Sequence, residues 1–111
     1  MNKELEFNKK RWHNMTLAQQ LGNVGSDFER ALKWKQKGKH ELFASAANRT
    51  IEQLDMTVSD SGLHGSRRRE IARLREETKK ALFSKKINTY LTSGLVNYFL
   101  RMALLARQST R

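Results

Sequence analysis

Apolar residues recur at alternating steps of four and three from residue 17 onwards, which is the spacing of one face of an α-helix. The positions are Leu17, Leu21, Val24, Phe28 and Ala31, with Lys35 standing where the next apolar residue would fall. Thr16 and Gln19 have the spacing of a capping box, and Gly38 is suited to end the helix. The pattern therefore predicts a first long helix between Thr16 and Gly38.

Two glycines lie inside this predicted helix. Gly22 and Gly25 each cost up to about 1 kcal/mol relative to alanine, so a close approach by a neighbouring helix would explain them. The alternative is a break, because Ser26 and Glu29 form a second capping box at which a helix could restart. The unbroken apolar period favours one continuous helix.

Three further helices follow from the same spacing. We predict a second helix over about 39–58, a third after Gly65 with Ser66 as its N-cap, and a fourth over about 88–107. Their predicted buried residues are Leu42, Phe43, Ala46, Ala47, Ile51, Leu54 and Val58, then Ile71, Leu74, Thr78 and Leu82, then Leu91, Leu95, Tyr98, Phe99, Met102, Leu105 and Ala106. Leu100 and Leu104 widen the apolar band of the fourth helix, which indicates either a central position or an oligomer contact.

Four helices with short connections predict an all-α fold, an antiparallel four-helix bundle in up-down-up-down order. Residues 1–13 are expected to form a short N-terminal basic arm or helix, followed by the bundle domain over residues 14–111. The chain contains no proline, which suits long helices, and no cysteine, which excludes disulfides. No apolar run reaches the roughly 18 residues of a membrane span and no signal segment is evident, so we expect a cytoplasmic protein without membrane contact.

The net charge of +11, from 22 Lys and Arg against 11 Asp and Glu, indicates a polyanionic partner. An up-down bundle would place the cations at two ends. We define the lysine end as Lys33, Lys35, Lys37, Lys39, Lys79, Lys80, Lys85 and Lys86, with His40 nearby. We define the arginine end as Lys9, Lys10, Arg11, Arg67, Arg68, Arg69, Arg107 and Arg111.

The arginine end is the preferred binding surface. Arg67–Arg69 fall in the first turn of the third predicted helix, where the helix dipole favours acids, and a broken local rule of this kind is typical of functional sites. Trp12 beside Arg11 and Trp34 among its lysines are candidates for stacking on bases, although core packing is the alternative. If about six phosphates were neutralised, log affinity would fall with log salt at a slope near −5.

Catalytic patterns are absent from the sequence. No Glu-x-x-His motif precedes His13, His40 or His64, and zincin and P-loop patterns are missing, so we expect neither enzyme activity nor a cofactor or metal. One alternative, a metal or nucleotide hydrolase, would use carboxylates between the first two helices, namely Asp27, Glu29, Glu52 and Asp55. The other interpretation makes them surface ion pairs with Arg30, Arg49 or Lys33.

Four short motifs span most of the chain: Trp34-Lys35-x-Lys37-Gly38, Leu54-Asp55-x-Thr57, Arg73-Leu74-Arg75-Glu76 and Tyr98-Phe99-Leu100. On these motifs, residues 15–107 resemble a small family of uncharacterised bacterial and archaeal helical proteins, which implies a helical fold and no particular activity. In shape the chain is also similar to HEPN-type bundles, which often act on or bind RNA, and to small basic bundles that serve diversity-generating retroelements and CRISPR effectors. The HEPN nuclease motif, Arg followed after four to six residues by His, is missing, so that resemblance implies a non-catalytic member.

The sequence therefore predicts a non-enzymatic accessory protein that binds the backbone of RNA, or less favourably DNA. The predicted contact residues are Arg67, Arg68, Arg69, Lys9, Lys10, Arg11, Trp12, Lys35, Lys37, Lys39, Lys79, Lys80, Lys85 and Lys86. The alternative is a protein-interaction or self-assembling module that uses the fourth helix, such as a subunit of a ribonucleoprotein or a toxin–antitoxin-like complex.

Overall fold

The computed structural model of the protein describes residues 9–109, and their regular secondary structure is helical throughout. A short helix, α1 (residues 9–13), precedes four long ones. These are α2 (Leu17–Gln36), α3 (His40–Val58), α4 (Gly65–Phe83) and α5 (Thr89–Ser109). The prediction of an all-α fold with four long helices is confirmed. Residues 1–8 of the predicted arm, and Arg111, lie outside the described residues.

The predicted ends of α2 are confirmed. The Thr16 hydroxyl accepts from the Gln19 N–H at 3.1 Å, and the Gln19 side chain accepts from the Thr16 N–H at 2.8 Å. Gly38 follows the helix with a φ of +70°, a conformation that glycine adopts without strain. The alternative of a break is wrong, because α2 continues past Gly25 and the Ser26 hydroxyl donates back to the Gly22 carbonyl at 3.5 Å.

The central helix of the fold is α2, which packs most extensively against α3 and α5 and also touches α4. Both of its glycines face α5. A Cβ atom on Gly25 would lie 2.4 Å from the Cβ of Phe99, and one on Gly22 would lie 3.1 Å from the Cα of Ala103. Because real Cβ atoms essentially never approach within 3.0 Å, α5 can pack at this distance from residue 25 only if that residue is glycine, while a Cβ on Gly22 would be tight. The predicted close approach of a neighbouring helix is confirmed.

The hydrophobic core forms around this contact. Phe28 and Phe99 meet edge to face, with ring centroids 5.6 Å apart. Its fully buried residues from α2, α3 and α4 include Leu21, Val24, Leu54, Ile71 and Leu82. All four predicted inner residues of α4 are buried.

The short helix α1 is fastened to the bundle through Trp12. The indole N–H of Trp12 donates to the Thr57 hydroxyl at 2.9 Å, and its backbone carbonyl accepts from the Gln20 side chain at 2.8 Å. His13 also contacts the Met56 carbonyl at 3.0 Å. Residues 9–13 are thus a packed helix, one of the two forms predicted for the N-terminal segment.

Three predicted details are wrong. Leu42 and Leu105 are about half exposed, whereas Thr50 and Thr57 are buried on α3. Each threonine hydroxyl donates to the carbonyl four residues earlier, so its burial leaves no unpaired group and a polar residue can face the core. Ser66 is not the N-cap of α4, because the helix begins at Gly65 and no side chain among the described residues caps it.

We predict that Gly25→Ala lowers the free energy of unfolding by at least about 1 kcal/mol, because the new methyl group overpacks the contact with Phe99. Gly94→Ala is the matched control in α5, where nothing lies within 4 Å of the added methyl. That variant should gain about 0.5–1 kcal/mol from helix propensity. Urea unfolding followed by circular dichroism measures both. A stabilised Gly25→Ala variant would contradict the packing described for α2 and α5.

Candidate nucleic-acid interface

Lys35 joins the end of α2 to the end of α4. Its ammonium donates to the Leu82 carbonyl at 2.7 Å and to the Ser84 carbonyl at 3.0 Å, and lies 5.8 Å from the centre of the Phe43 ring. The last carbonyls of a helix lack partners within the helix, and a cation at that end also suits the helix dipole. Lys35 was predicted to contact nucleic acid, but its ammonium is used in holding the fold. This explains a lysine at an inward-facing position of α2.

The contact between α2 and α4 brings the two connections of the lysine end together, as predicted. The other lysines of this end are exposed: Lys33, Lys37, Lys39, Lys79, Lys80, Lys85 and Lys86. Lys37 lies 5.7 Å from the ring centre of the partly buried Trp34. Within residues 9–109, none of these lysines forms a salt bridge with a carboxylate. The lysine end is therefore an uncompensated positive surface.

Arg67, Arg68 and Arg69 are all exposed; the first two lie in the first turn of α4 and Arg69 follows it. No carboxylate in the described part of the chain forms a salt bridge with them, and the first turn contains no acid. The start of α4 is also uncapped by any described side chain, so its first peptide N–H groups face the same region as the arginines. Free N–H groups, the helix dipole and three guanidinium groups all favour an anion at this position.

Tyr98 of α5 lies beside this turn. Partial burial raises the pKa of Tyr98 above its usual value, the carboxylate of Glu70 raises it further, and the cation of Arg67 lowers it. Tyr98 and Glu70 also line the same groove between α4 and α5.

The α1 side of the arginine end borders a cleft. Lys9 and Arg11 line a cleft of about 480 Å³ together with Arg49 and Glu52, and Arg67–Arg69 are not among the lining residues. Lys9, Lys10 and Arg11 are exposed. The cleft therefore brings Lys9 and Arg11 of the predicted arginine end together with Arg49, without the arginines at the start of α4.

Trp12 is not available for stacking on a base. Only 5% of its surface is exposed, and its indole N–H is bonded to Thr57. A large aromatic residue next to a cation resembles a stacking site in the sequence, but this ring fills the gap between α1, α2 and α3 and is part of the core. The prediction of Trp12 as a contact residue is wrong.

Two of the four carboxylates of the hydrolase alternative, Asp27 and Asp55, form ion pairs. Asp27, which is 7% exposed, accepts from Arg30 at 2.7 Å and from Gln53 at 2.9 Å, and Arg49 lies 3.6 Å away. Asp55 pairs with Arg75 and raises the pKa of that guanidinium. Among residues 9–109, no three acidic or histidine residues are placed to hold a metal ion. The ion-pair interpretation is confirmed for Asp27.

A groove of about 650 Å³ lies between α4 and α5. Apolar residues line it, including Leu74, Leu91 and Leu95. Two carboxylates, Glu70 and Glu77, and two cations, Arg73 and Lys80, also contribute to its lining, so the groove has no excess of positive charge.

One informative sequence signal is the absence of acidic residues after Glu77. Residues 78–111 contain seven cations and no acid: Lys79, Lys80, Lys85, Lys86, Arg101, Arg107 and Arg111. This stretch includes two aromatic residues that the structure exposes, Phe83 at 48% and Tyr90 at 92%. Sequence reasoning overlooked both rings, because Phe83 ends the apolar pattern of α4 and Tyr90 stands in the first turn of α5, outside its apolar stripe.

The chain matches no protein-family model, no curated protein and no solved structure. The resemblances to the bacterial and archaeal family, to HEPN-type bundles and to retroelement or CRISPR accessory proteins therefore stay predictions. No helix between residues 9 and 109 combines the length and the apolar character that crossing a membrane requires.

We predict that Lys35→Met lowers the free energy of unfolding by about 1–2 kcal/mol, because it leaves the Leu82 carbonyl without its donor. Lys39→Met removes the same charge from an exposed side chain and should change stability by no more than about 0.5 kcal/mol. Thermal unfolding of both variants at matched ionic strength measures the difference. Equal stability of the two variants would show that Lys35 has no structural role.

Proposed function

We propose that the protein is a non-enzymatic accessory protein that binds the sugar–phosphate backbone of nucleic acid. The observation that carries this proposal is the turn formed by Arg67, Arg68 and Arg69. These arginines are exposed, have no carboxylate partner among the described residues and surround an uncapped helix start. Phosphate groups match this site in charge and in hydrogen-bonding geometry, since arginine and free backbone N–H groups both donate to phosphate oxygens.

The division of cations in the structure supports this proposal. Arg30, Arg49 and Arg75 pair with carboxylates, and Lys35 bonds to carbonyls, so these side chains serve the fold. The exposed cations of α1, of the α4 start and of the lysine end form no salt bridge with a carboxylate within residues 9–109. A net charge of +11 is therefore concentrated in groups that remain available to a partner.

RNA is the preferred partner in this proposal. The preference rests on the resemblance to HEPN-type bundles that we predict from the sequence, since those bundles often act on or bind RNA. The absence of the HEPN nuclease motif is consistent with binding rather than cleavage. We further propose a cytoplasmic location, where RNA is accessible.

The proposal includes the up-down-up-down order of the helices. It is supported by the order of contacts between α2 and α5, because Gly22 lies against Ala103 while the later residue Gly25 lies against the earlier residue Phe99. The two helices α2 and α5 therefore run in opposite directions. This order leaves the start of α4 and the lysine end on separate parts of the surface, so two contacts with one extended nucleic acid are feasible.

We predict that replacing Arg67, Arg68 and Arg69 together by Glu weakens RNA binding at low salt by at least about tenfold, because the phosphates lose three cations and meet three acids. The dependence of log affinity on log salt should flatten by up to about 3, or about 1 for each phosphate that is no longer bound. Fluorescence anisotropy with a labelled RNA at several salt concentrations measures both quantities.

The matched control for this experiment replaces the same three arginines by Lys, which keeps the net charge and should retain most of the binding. Acids near the start of a helix interact favourably with the helix dipole, so the Glu variant is expected to stay folded. Circular dichroism measures this. Wild-type affinity and wild-type salt dependence in the Glu variant would reject the α4 start as the binding site.

A second candidate function is supported by the exposed face of α5. Leu100, Leu104 and Leu105 are each about half exposed, and α5 is not the central helix that would bury them within the chain. An apolar face of this kind favours association with another helix. The protein would then be a self-assembling or protein-interaction module, such as a subunit of a ribonucleoprotein or a toxin–antitoxin-like complex.

We predict for this second candidate that the wild-type protein sediments as an oligomer and that Leu100→Glu with Leu104→Glu converts it to a monomer, since buried charges oppose association. Ala44→Glu with Asn48→Glu, at two exposed positions of α3 one helical turn apart, is the control and should stay oligomeric. Analytical ultracentrifugation after nuclease treatment separates self-association from bridging by nucleic acid. A monomeric wild-type protein would eliminate self-assembly.

A further inference from the structure

We infer that the lysine end contains a platform for single-stranded nucleic acid, made by the rings of Tyr90 and Phe83 and the lysines around them. This inference rests on the proposed function. It adds a second binding surface and specifies that this surface binds single-stranded nucleic acid. It differs from the contact at Arg67–Arg69, which concerns phosphate groups alone. The unstacked bases of a single strand are the chemistry that these rings would recognise.

The exposure of the two rings is the first observation. Tyr90 is 92% exposed, so both faces of its ring are open to solvent. Phe83 packs edge to face against Phe43, with centroids 5.9 Å apart, and keeps 48% of its surface exposed. Tyr90 makes no ring contact with another aromatic residue of the described chain. A phenylalanine held from one side and a tyrosine open on both can each receive a base.

The charge around the rings is the second observation. Lys85 and Lys86 lie between Phe83 and Tyr90 in the chain and are exposed. The groove that Tyr90 lines contains two cations, Arg73 and Lys80, and two carboxylates, Glu70 and Glu77, so the positive charge near the ring comes from Lys85 and Lys86 and not from the groove. The sequence contains no acid after Glu77, so the connection and the whole of α5 carry only positive charge. Lysine ammonium groups are mobile point charges that follow a flexible backbone without fixing its geometry.

The outer face of α5 extends the platform. Ser93, Asn97 and Arg101 are exposed and follow Tyr90 at helical spacing, so they share one side of the helix. From Tyr90 to Arg101 this face is about 16 Å long, at about 1.5 Å for each residue. It offers hydroxyl, amide and guanidinium groups to a strand that begins on the Tyr90 ring. A few successive nucleotides fit along such a length.

These features favour a single strand over a duplex. In a duplex the base faces are stacked on one another, and the aromatic rings would find no surface to cover. In a single strand each base has a free face, and stacking on an aromatic side chain tolerates any sequence. The combination of exposed aromatic rings with a groove of positive charge is the usual composition of sequence-tolerant single-strand sites.

The closing experiment uses the full chain and the single variant Tyr90→Ala. Because the side chain is almost wholly exposed, its removal is expected to leave the fold intact. Binding to a labelled oligouridine and to a blunt RNA duplex with the same number of phosphates is measured by fluorescence anisotropy. We expect Tyr90→Ala to bind oligouridine about tenfold more weakly, and the duplex within about twofold of wild type.

Two control variants accompany it. Tyr90→Phe keeps the ring and should retain wild-type binding to oligouridine. Leu42→Ala removes a half-exposed apolar side chain from α3 and should leave oligouridine binding unchanged. Binding of the wild-type protein and Tyr90→Ala to phosphatidylserine vesicles is measured in parallel, since exposed rings among lysines also suit an anionic lipid surface.

The possible results separate this inference from the function on which it rests. If the wild-type protein binds neither oligouridine nor duplex, both the proposed function and the platform are rejected. Two results reject the platform alone, provided that the wild-type protein binds RNA. In the first, Tyr90→Ala binds oligouridine as tightly as the wild type does. In the second, Tyr90→Ala loses the same factor of affinity for oligouridine and for the duplex. The platform is also rejected if Tyr90→Ala loses binding to vesicles while its binding to oligouridine is unchanged.

Discussion

The close contact between α2 and α5 is the constraint on which the rest of the structure depends. The side chain of Phe99 packs directly against Gly25, where an added Cβ atom would lie 2.4 Å from the Cβ of Phe99. The ring of Phe99 meets the ring of Phe28 edge to face. This contact places α5 directly on the central helix. The side of α5 that bears Phe99 is therefore buried, while the side that bears Tyr90, Asn97 and Arg101 is turned to solvent. The packing of two glycines thus determines which residues of α5 a partner can reach.

A second consequence of the packing is the separation of cations that serve the fold from cations that do not. Lys35 completes the end of α4, and Arg30 and Arg49 balance the buried Asp27. Once these groups are assigned to the fold, the positive charge that remains is exposed and clustered. Net charge by itself says little about a fold, but charge left over after the internal pairs are counted is evidence about a partner.

Much of the fold could be predicted from the sequence because its signals are local. The capping box at Thr16, the glycine after α2 and the apolar period all act within a few residues, and each is present in the structure. The tight packing at Gly25 was also predictable, since an interior glycine is costly unless a neighbour requires it. The start of α4 was placed two residues too late, at Ser66 instead of His64 as the N-cap, because Gly65 enters the helix with a φ of +65° and no described side chain marks the boundary.

The candidate site was less predictable, because exposure depends on contacts between distant segments. Trp12 and Trp34 have similar neighbours in the sequence. Trp12 is nevertheless buried against α3, where its indole N–H donates a hydrogen bond to Thr57, 45 residues away. Lys35 is recognisable as structural only when the end of α4 lies beside it. Tyr90 is exposed because no other element among residues 9–109 covers its side chain, which the local pattern does not reveal.

The central claim is that the uncompensated cations of this bundle bind the phosphates of nucleic acid. It is tested most directly by titrating the wild-type protein with RNA and with DNA at two or more salt concentrations. If about six phosphates are bound, log affinity should fall linearly with log salt, at a slope of about −4 for a single strand and about −5 for a duplex. Absence of binding at low salt, or an affinity that does not change with salt, would contradict the claim.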